Sequence, residues 1–101
     1  MEFQLINSDT WTCPVGYGQY IDWSANSGTV VSVGVQNFGV VLDFYASQMF
    51  VKGQRDVFVE VNNTSKEDVS WRIWCVVATD GTAPVSGTGK VESRQIPKPA
   101  T

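Results

Sequence analysis

The stretch Val57-Phe58-Val59-Glu60-Val61 places a valine at every second position, and Val69-Ser70-Trp71-Arg72-Ile73-Trp74-Cys75-Val76-Val77 repeats that apolar spacing farther along the chain. Successive side chains of a β-strand point to opposite faces, so a period of two gathers one apolar set on one face. Both runs therefore predict strands with one face packed into a core and the other facing outward.

Shorter runs with the same period lie on both sides of these two strands. They comprise Phe3 with Leu5, Trp11 with Cys13, Tyr17 with Ile21 and Trp23, Val31 with Val33 and Val35, and Val91. Turn-forming residues separate them at Asn7-Ser8-Asp9, Asn26-Ser27-Gly28 and Asp80-Gly81, and the second of these predicts a hairpin. The chain is thus predicted to be a succession of strands.

Composition supports a single all-β domain. The 101 residues include 16 valines and only two leucines, a bias toward side chains that fit a pleated sheet. Hydrophobic residues make up 43% of the chain and charged residues 17%, which is enough apolar surface to offset the entropy of ordering. We expect a β-sandwich domain over residues 1–95 and a proline-rich tail or linker over residues 96–101.

The segment from Leu42 to Lys52 supports two interpretations. Its apolar residues Leu42, Tyr45, Ala46, Met49 and Phe50 have the spacing of an amphipathic helix, which Gly53 would cap. The same segment also fits a strand, and its neighbours are all predicted strands. We favour the strand, and a short helix near 42–52 would instead indicate a jelly-roll-like sandwich.

The spacing of Cys13, Trp23 and Cys75 resembles that of the immunoglobulin superfamily, together with the flanking Thr12-Cys13-Pro14 and Cys75-Val76-Val77-Ala78. The resemblance implies a two-sheet antiparallel β-sandwich in which a disulfide joins Cys13 to Cys75 across the sheets and Trp23 packs on it. Two buried free thiols are the alternative to a disulfide.

The residue types exclude most catalytic chemistry. The chain has no histidine, so no Ser-His-Asp or Cys-His set can form, and two cysteines are too few for a zinc site. Carboxylates such as Asp22, Asp43, Glu60 and Asp68 are interpreted as solvated surface groups. We therefore expect no enzyme activity, no cofactor and no metal. The seven Lys and Arg residues are scattered and the net charge is −3, which argues against nucleic acid as a partner.

The candidate binding residues are outward-facing aromatic and charged side chains. In the immunoglobulin arrangement the strands of Trp23, Cys75 and Val91 share one sheet. The resemblance then implies that Tyr20, Asp22, Arg72, Trp74 and Arg94 converge on its outer face. The primary hypothesis is a non-enzymatic module that binds a protein or glycan there. The alternatives are a structural domain of a virion or surface assembly, with homo-oligomers, and a membrane-active β protein.

Signals for location are sparse. Met1–Asn7 has no basic residue and no long apolar run, so we expect no signal peptide in this chain and no transmembrane segment. Asn62-Asn63-Thr64 and Asn63-Thr64-Ser65 match the glycosylation acceptor pattern, which makes Asn62 and Asn63 candidate sites. The acceptor pattern favours an extracellular, cell-surface or virion location.

Overall fold

The computed structural model describes residues 1–39 and 43–97 of the chain. Over these residues it contains eight strands and no helix. The strands are β1 (Glu2–Asn7), β2 (Trp11–Cys13), β3 (Tyr17–Ala25), β4 (Thr29–Phe38), β5 (Phe44–Val51), β6 (Asp56–Asn63), β7 (Val69–Thr79) and β8 (Gly87–Gln95).

The strands form two antiparallel sheets that pack face to face, which confirms the predicted β-sandwich. In the first, here the β7 sheet, the long β7 pairs with β4 along one edge and with β1 and then β2 along the other. In the second, the β3 sheet, the order is β5-β6-β3-β8. Packed sheets lie about 10 Å apart, which leaves room for one interdigitated layer of side chains between them.

The core consists of the period-two positions found in the sequence. Val57, Val59 and Val61 from one sheet and the odd-numbered residues of β7 from Val69 to Val77 from the other are fully or almost fully buried. Burying one valine or isoleucine side chain stabilises the fold by about 1.5–3 kcal/mol, so these two strands carry a large share of the hydrophobic stabilisation.

Most strand connections cross between the sheets. β3 and β4 belong to different sheets, so the hairpin predicted at Asn26-Ser27-Gly28 is wrong. The backbone N–H of Asn26 donates to the carbonyl of Ser86, and its side-chain amide donates to the Ser86 hydroxyl. Gly28, at φ 80°, lies against the backbone of Ala78, where a Cβ would be only 2.7 Å from the carbonyl oxygen. These contacts turn the chain out of one sheet and onto the other.

The disulfide between Cys13 and Cys75 is also wrong, because both residues lie in the β7 sheet. Cys13 is opposite Val69, and Cys75 is six residues farther along β7. At about 3.3 Å per residue this separates the thiols by about 20 Å, whereas bridged Cα atoms lie within about 7 Å. Both cysteines are free and buried. Burial raises the pKa of each thiol from 9.0 to about 11.

The segment that supported two interpretations is a strand, and the helical alternative is wrong over its described part, residues 43–52. Its apparent helical spacing has a simple cause. A β-bulge at Ser47 inserts one residue between Ala46, which is opposite Val61, and Gln48, which is opposite Glu60. An extra residue moves the inward positions from even to odd numbers and so breaks the period of two. Val40–Leu42 lie outside the described residues.

Two buried amides tie the sheets together. Gln19 of β3 accepts a hydrogen bond from the Trp71 indole N–H (2.7 Å) and donates to the carbonyl of Thr12 (2.9 Å). Asn63, fully buried at the end of β6, donates to the carbonyls of Cys13 and Glu67. Asn63 is therefore unavailable for glycosylation in the folded protein, which corrects one of the two candidate acceptors.

The second candidate acceptor, Asn62, and the start of the predicted tail also lie within or against the folded domain. Asn62 is half-buried and lies inside β6, between Gly18 and Tyr45 of the neighbouring strands. Ile96, at the start of the predicted tail, donates its backbone N–H to the carbonyl of Gly16 and so still contacts the domain. Residues 98–101 of that tail lie outside the described part of the chain.

Candidate functional site

The five predicted binding residues divide between two opposite surfaces. Tyr20, Asp22 and Arg94 lie on the outer face of the β3 sheet, whereas Arg72 and Trp74 lie on the outer face of the β7 sheet. The predicted convergence on one face is wrong because the strand of Cys75 joins a different sheet from the strands of Trp23 and Val91. Each outer face is therefore a separate candidate surface.

The outer face of the β7 sheet carries apolar side chains that are flanked by polar ones. Cross-strand pairing places Phe3 beside Ala78, Leu5 beside Val76, and Asn7 and Gly34 on the two sides of Trp74. The next rows bring Gln36 beside Arg72 and Phe38 beside Ser70. We call this surface the Trp74 face; it comprises Phe3, Leu5, Phe38, Arg72, Trp74, Val76 and Ala78.

Trp74 lies across the backbone of β4. A Cβ added to Gly34 would be 2.0 Å from the indole Cζ2 atom, so only glycine leaves room for the ring there. Trp74 is half-buried as a result. With Leu5, Asn7, Gln36 and Arg72 it lines an open depression of about 400 Å³. The backbone of β4 thus holds the ring in one orientation.

Arg72 is also held in position. Its Nε donates to Oε1 of Gln36 at 2.9 Å, and its guanidinium carbon lies 5.4 Å from the centre of the Phe38 ring. A cation over an aromatic ring and a side-chain hydrogen bond both restrict the rotamers of a long side chain. A partner that contacts Arg72 would therefore lose less side-chain entropy than at a freely moving arginine.

The apolar members of the Trp74 face are unusually exposed. Phe3 and Leu5 each expose 65% of their surface, and Phe38 exposes 38%. Val31, the bulged residue of β4, is exposed near the same face. Single exposed apolar side chains are common on protein surfaces, but contiguous ones mark interaction sites.

The outer face of the β3 sheet has a different character, because its charges pair with one another. Asp22 contacts Lys52, Glu60 lies 3.6 Å from Arg94, and Lys90 lies 3.9 Å from Glu92. Its aromatic rings also pack together: ring centres are 6.2 Å apart for Tyr20 and Phe58, and 5.6 Å apart for Phe58 and Phe50. These charged and aromatic side chains therefore already have partners within the β3 sheet.

Among residues 1–39 and 43–97, no three Cys, Asp or Glu side chains come together as metal ligands. The free thiols are fully buried, and their raised pKa keeps them protonated at neutral pH. A protonated, inaccessible thiol is a poor nucleophile.

Sequence reasoning missed Phe3, Leu5 and Phe38. The period of two shows that Phe3 and Leu5 share a face, but not whether that face is inside. The pairing of Ile6 with Cys75 turns Ile6 inward and hence Leu5 outward. Gln4 and Ile6 share the other face of β1. Because one is polar and the other apolar, the sequence alone did not show which face of β1 is buried.

Comparison with known proteins finds no matching family model, no matching curated protein and no matching solved structure. Family membership in the immunoglobulin superfamily therefore stays a prediction. Within the described residues, no helix has the length and apolar character that crossing a bilayer requires.

Proposed function

We propose that this protein is a non-enzymatic recognition module that binds another protein through the Trp74 face. The observation that supports this most strongly is the apolar strip formed by Phe3 and Leu5 of β1 beside Ala78 and Val76 of β7, which continues to Trp74 at the depression that Leu5 and Trp74 both line. A partner that covers such a strip releases the water on it, and this contributes about 25 cal/mol to the free energy of binding for each Å² of apolar surface buried.

The residue types in the strip favour a protein partner. Trp and Arg are enriched among the residues that contribute most binding energy in protein interfaces. Here Trp74 and Arg72 occur together and are both held by their neighbours, Gly34 and Gln36. The surrounding Leu5, Val76 and Ala78 supply apolar contact area, and Asn7 and Gln36 supply hydrogen-bonding groups at its edge, a combination typical of a protein interface.

Selection of random peptides displayed on phage tests this proposal without knowledge of the natural partner. Peptides selected on the wild-type protein should be rich in apolar residues and should compete with one another for one site. Trp74→Ala and Leu5→Lys should each weaken their binding about tenfold or more, since truncating such an anchor costs about 2 kcal/mol or more.

Val15→Lys is the matched control, because Val15 is also an exposed apolar residue (45%) but lies in a loop away from this face. It should leave peptide binding unchanged. Peptides that ignore Leu5→Lys and Trp74→Ala but are lost on Tyr20→Ala would move the site to the β3 sheet and refute the proposal. Binding of glycans in place of peptides would refute the choice of partner.

A further inference from the structure

The edge strand β5 is a second unpartnered feature, separate from the Trp74 face. Over the described part of the chain β5 pairs with β6 only, so its other edge presents unpaired backbone N–H and C=O groups. None of its eight residues is charged and none is proline. Tyr45, Met49, Phe50 and Val51 expose 38–53% of their surfaces.

The inward side of β5 is incompletely covered. Met49 and Val51 are opposite Val59 and Val57, which are completely buried, so their side chains have the inward orientation. They nevertheless remain 42% and 38% exposed. β5 therefore extends beyond the cover that β4 of the other sheet provides, and both of its faces are accessible at the edge.

The opposite edge of the same sheet is protected in the usual way. β8 carries Lys90, Glu92 and Arg94 on its outer face, and charged side chains on an edge strand discourage pairing with another chain. β5 lacks this protection although it belongs to the same sheet. An accessible sheet edge is the feature that β-strand pairing between chains requires.

We propose that β5 pairs antiparallel with β5 of a second copy of this chain about a two-fold axis, which joins the two β3 sheets into one continuous sheet. A two-fold axis makes the contact self-complementary and closes it at a dimer. The occupant of the edge is thus a second copy, and the Trp74 face remains free on each subunit.

Charge complementarity defines the register. Asp43 immediately precedes β5 and Lys52 immediately follows it. In the register that centres the axis between Ser47 and Gln48, Asp43 of each copy lies opposite Lys52 of the other, so that Lys52, which contacts Asp22 of its own subunit, gains a second carboxylate. Any shift of this register separates both pairs of opposite charges, which would then leave apolar residues facing charges at the two ends.

The same register also matches the faces of the strand. Tyr45 becomes opposite Phe50 of the second copy, and both point outward; Ala46 becomes opposite Met49, and both point inward. Directly opposed residues of an antiparallel pair share a face. This agreement depends on the bulge at Ser47, because without the extra residue the two halves of β5 would have opposite orientations in this register.

Sedimentation equilibrium of the full chain tests the association. The wild type should approach twice the 11.1 kDa chain mass as concentration rises. Met49→Lys, which places a charge on the pairing edge, should raise the dissociation constant about tenfold or more. Val31→Lys is the matched control on β4, where an exposed valine of similar accessibility (51%) lies outside the proposed contact, and it should leave the dissociation constant unchanged.

Cysteine crosslinking tests the register. Ala46→Cys combined with Met49→Cys should form disulfide-linked dimers on mild oxidation, whereas Ala46→Cys alone should not. The native Cys13 and Cys75 are buried and do not compete. A wild type that stays monomeric up to about millimolar concentration would overturn the proposal, as would a dimer that survives Met49→Lys with its melting temperature intact. A dimer lost on Leu5→Lys instead would assign the contact to the Trp74 face.

Discussion

Gln19→Leu should destabilise the protein through the loss of a polar link between the sheets. The Gln19 side chain belongs to the β3 sheet and is 5% exposed. Its oxygen accepts from the indole N–H of Trp71, and its nitrogen donates to the Thr12 carbonyl and to the Ser93 hydroxyl. Leucine has nearly the same volume as glutamine, so the substitution removes three hydrogen bonds without opening a large cavity.

The expected cost follows from the burial of the groups left behind. Trp71 is completely buried, so its N–H has no access to water once Gln19 is gone. An unsatisfied buried donor costs about 1–3 kcal/mol, and the two other hydrogen bonds contribute about 1 kcal/mol each. Leucine recovers about 1–2 kcal/mol by its apolar burial. The net loss in the free energy of unfolding should be about 2–3 kcal/mol, a large part of the 5–15 kcal/mol typical of a domain.

Urea denaturation followed by tryptophan fluorescence measures this difference. The midpoint should fall while the m-value stays unchanged, since the surface exposed on unfolding is the same. Gln36→Leu is the matched control: it also removes an amide, the acceptor of Arg72, but at an exposed position where water replaces it, so its effect should stay within about 0.5 kcal/mol. A Gln19→Leu variant as stable as the Gln36→Leu control would refute the reasoning.

The cysteines and Trp23 give further predictions. Both thiols should react with a thiol reagent only after denaturation, and a non-reducing mass measurement should show no bridge; a mass two hydrogens lower would contradict this. Because the pKa of Cys13 and Cys75 rises from 9.0 in the unfolded chain to about 11 when folded, the folded state keeps protons that the unfolded state loses. The free energy of unfolding should therefore fall as pH rises from about 9 to 11, and Cys13→Ala with Cys75→Ala should flatten that slope. Trp23 is 2% exposed and its indole lies against Gly87. Trp23→Ala should therefore lower the free energy of unfolding by about 3–5 kcal/mol, and an unchanged melting temperature would show that Trp23 is not a core residue.

The two proposed contacts use different parts of the molecule and can operate together. The Trp74 face lies on the outer side of the β7 sheet, whereas β5 is an edge of the β3 sheet. A dimer joined through β5 would present two Trp74 faces. Two linked sites raise the effective concentration of the second binding event, so such a dimer would bind a repeated partner more tightly than one subunit does.

Local pattern in the sequence determined the class of fold and the orientation of most core side chains. Valines at every second position of β6, and the matching run from Val69 to Val77, established which side of each strand is buried. The period of two is a property of an extended backbone and does not depend on what the strand pairs with. For this reason Trp71 and Cys75 could be placed inward, and Trp74 outward, before any pairing was known.

Strand pairing was decided only by the tertiary structure. Backbone hydrogen bonds are the same for every partner, so the sequence of β7 does not state that β1, β2 and β4 will flank it. That choice placed Cys13 and Cys75 in one sheet instead of two, and it separated Tyr20 from Trp74. It also exposed Leu5 and left β5 at an edge. The sequence determined which way each strand faces, and the long-range pairing decided which faces meet, because only the packed chain as a whole selects among equivalent backbone partners.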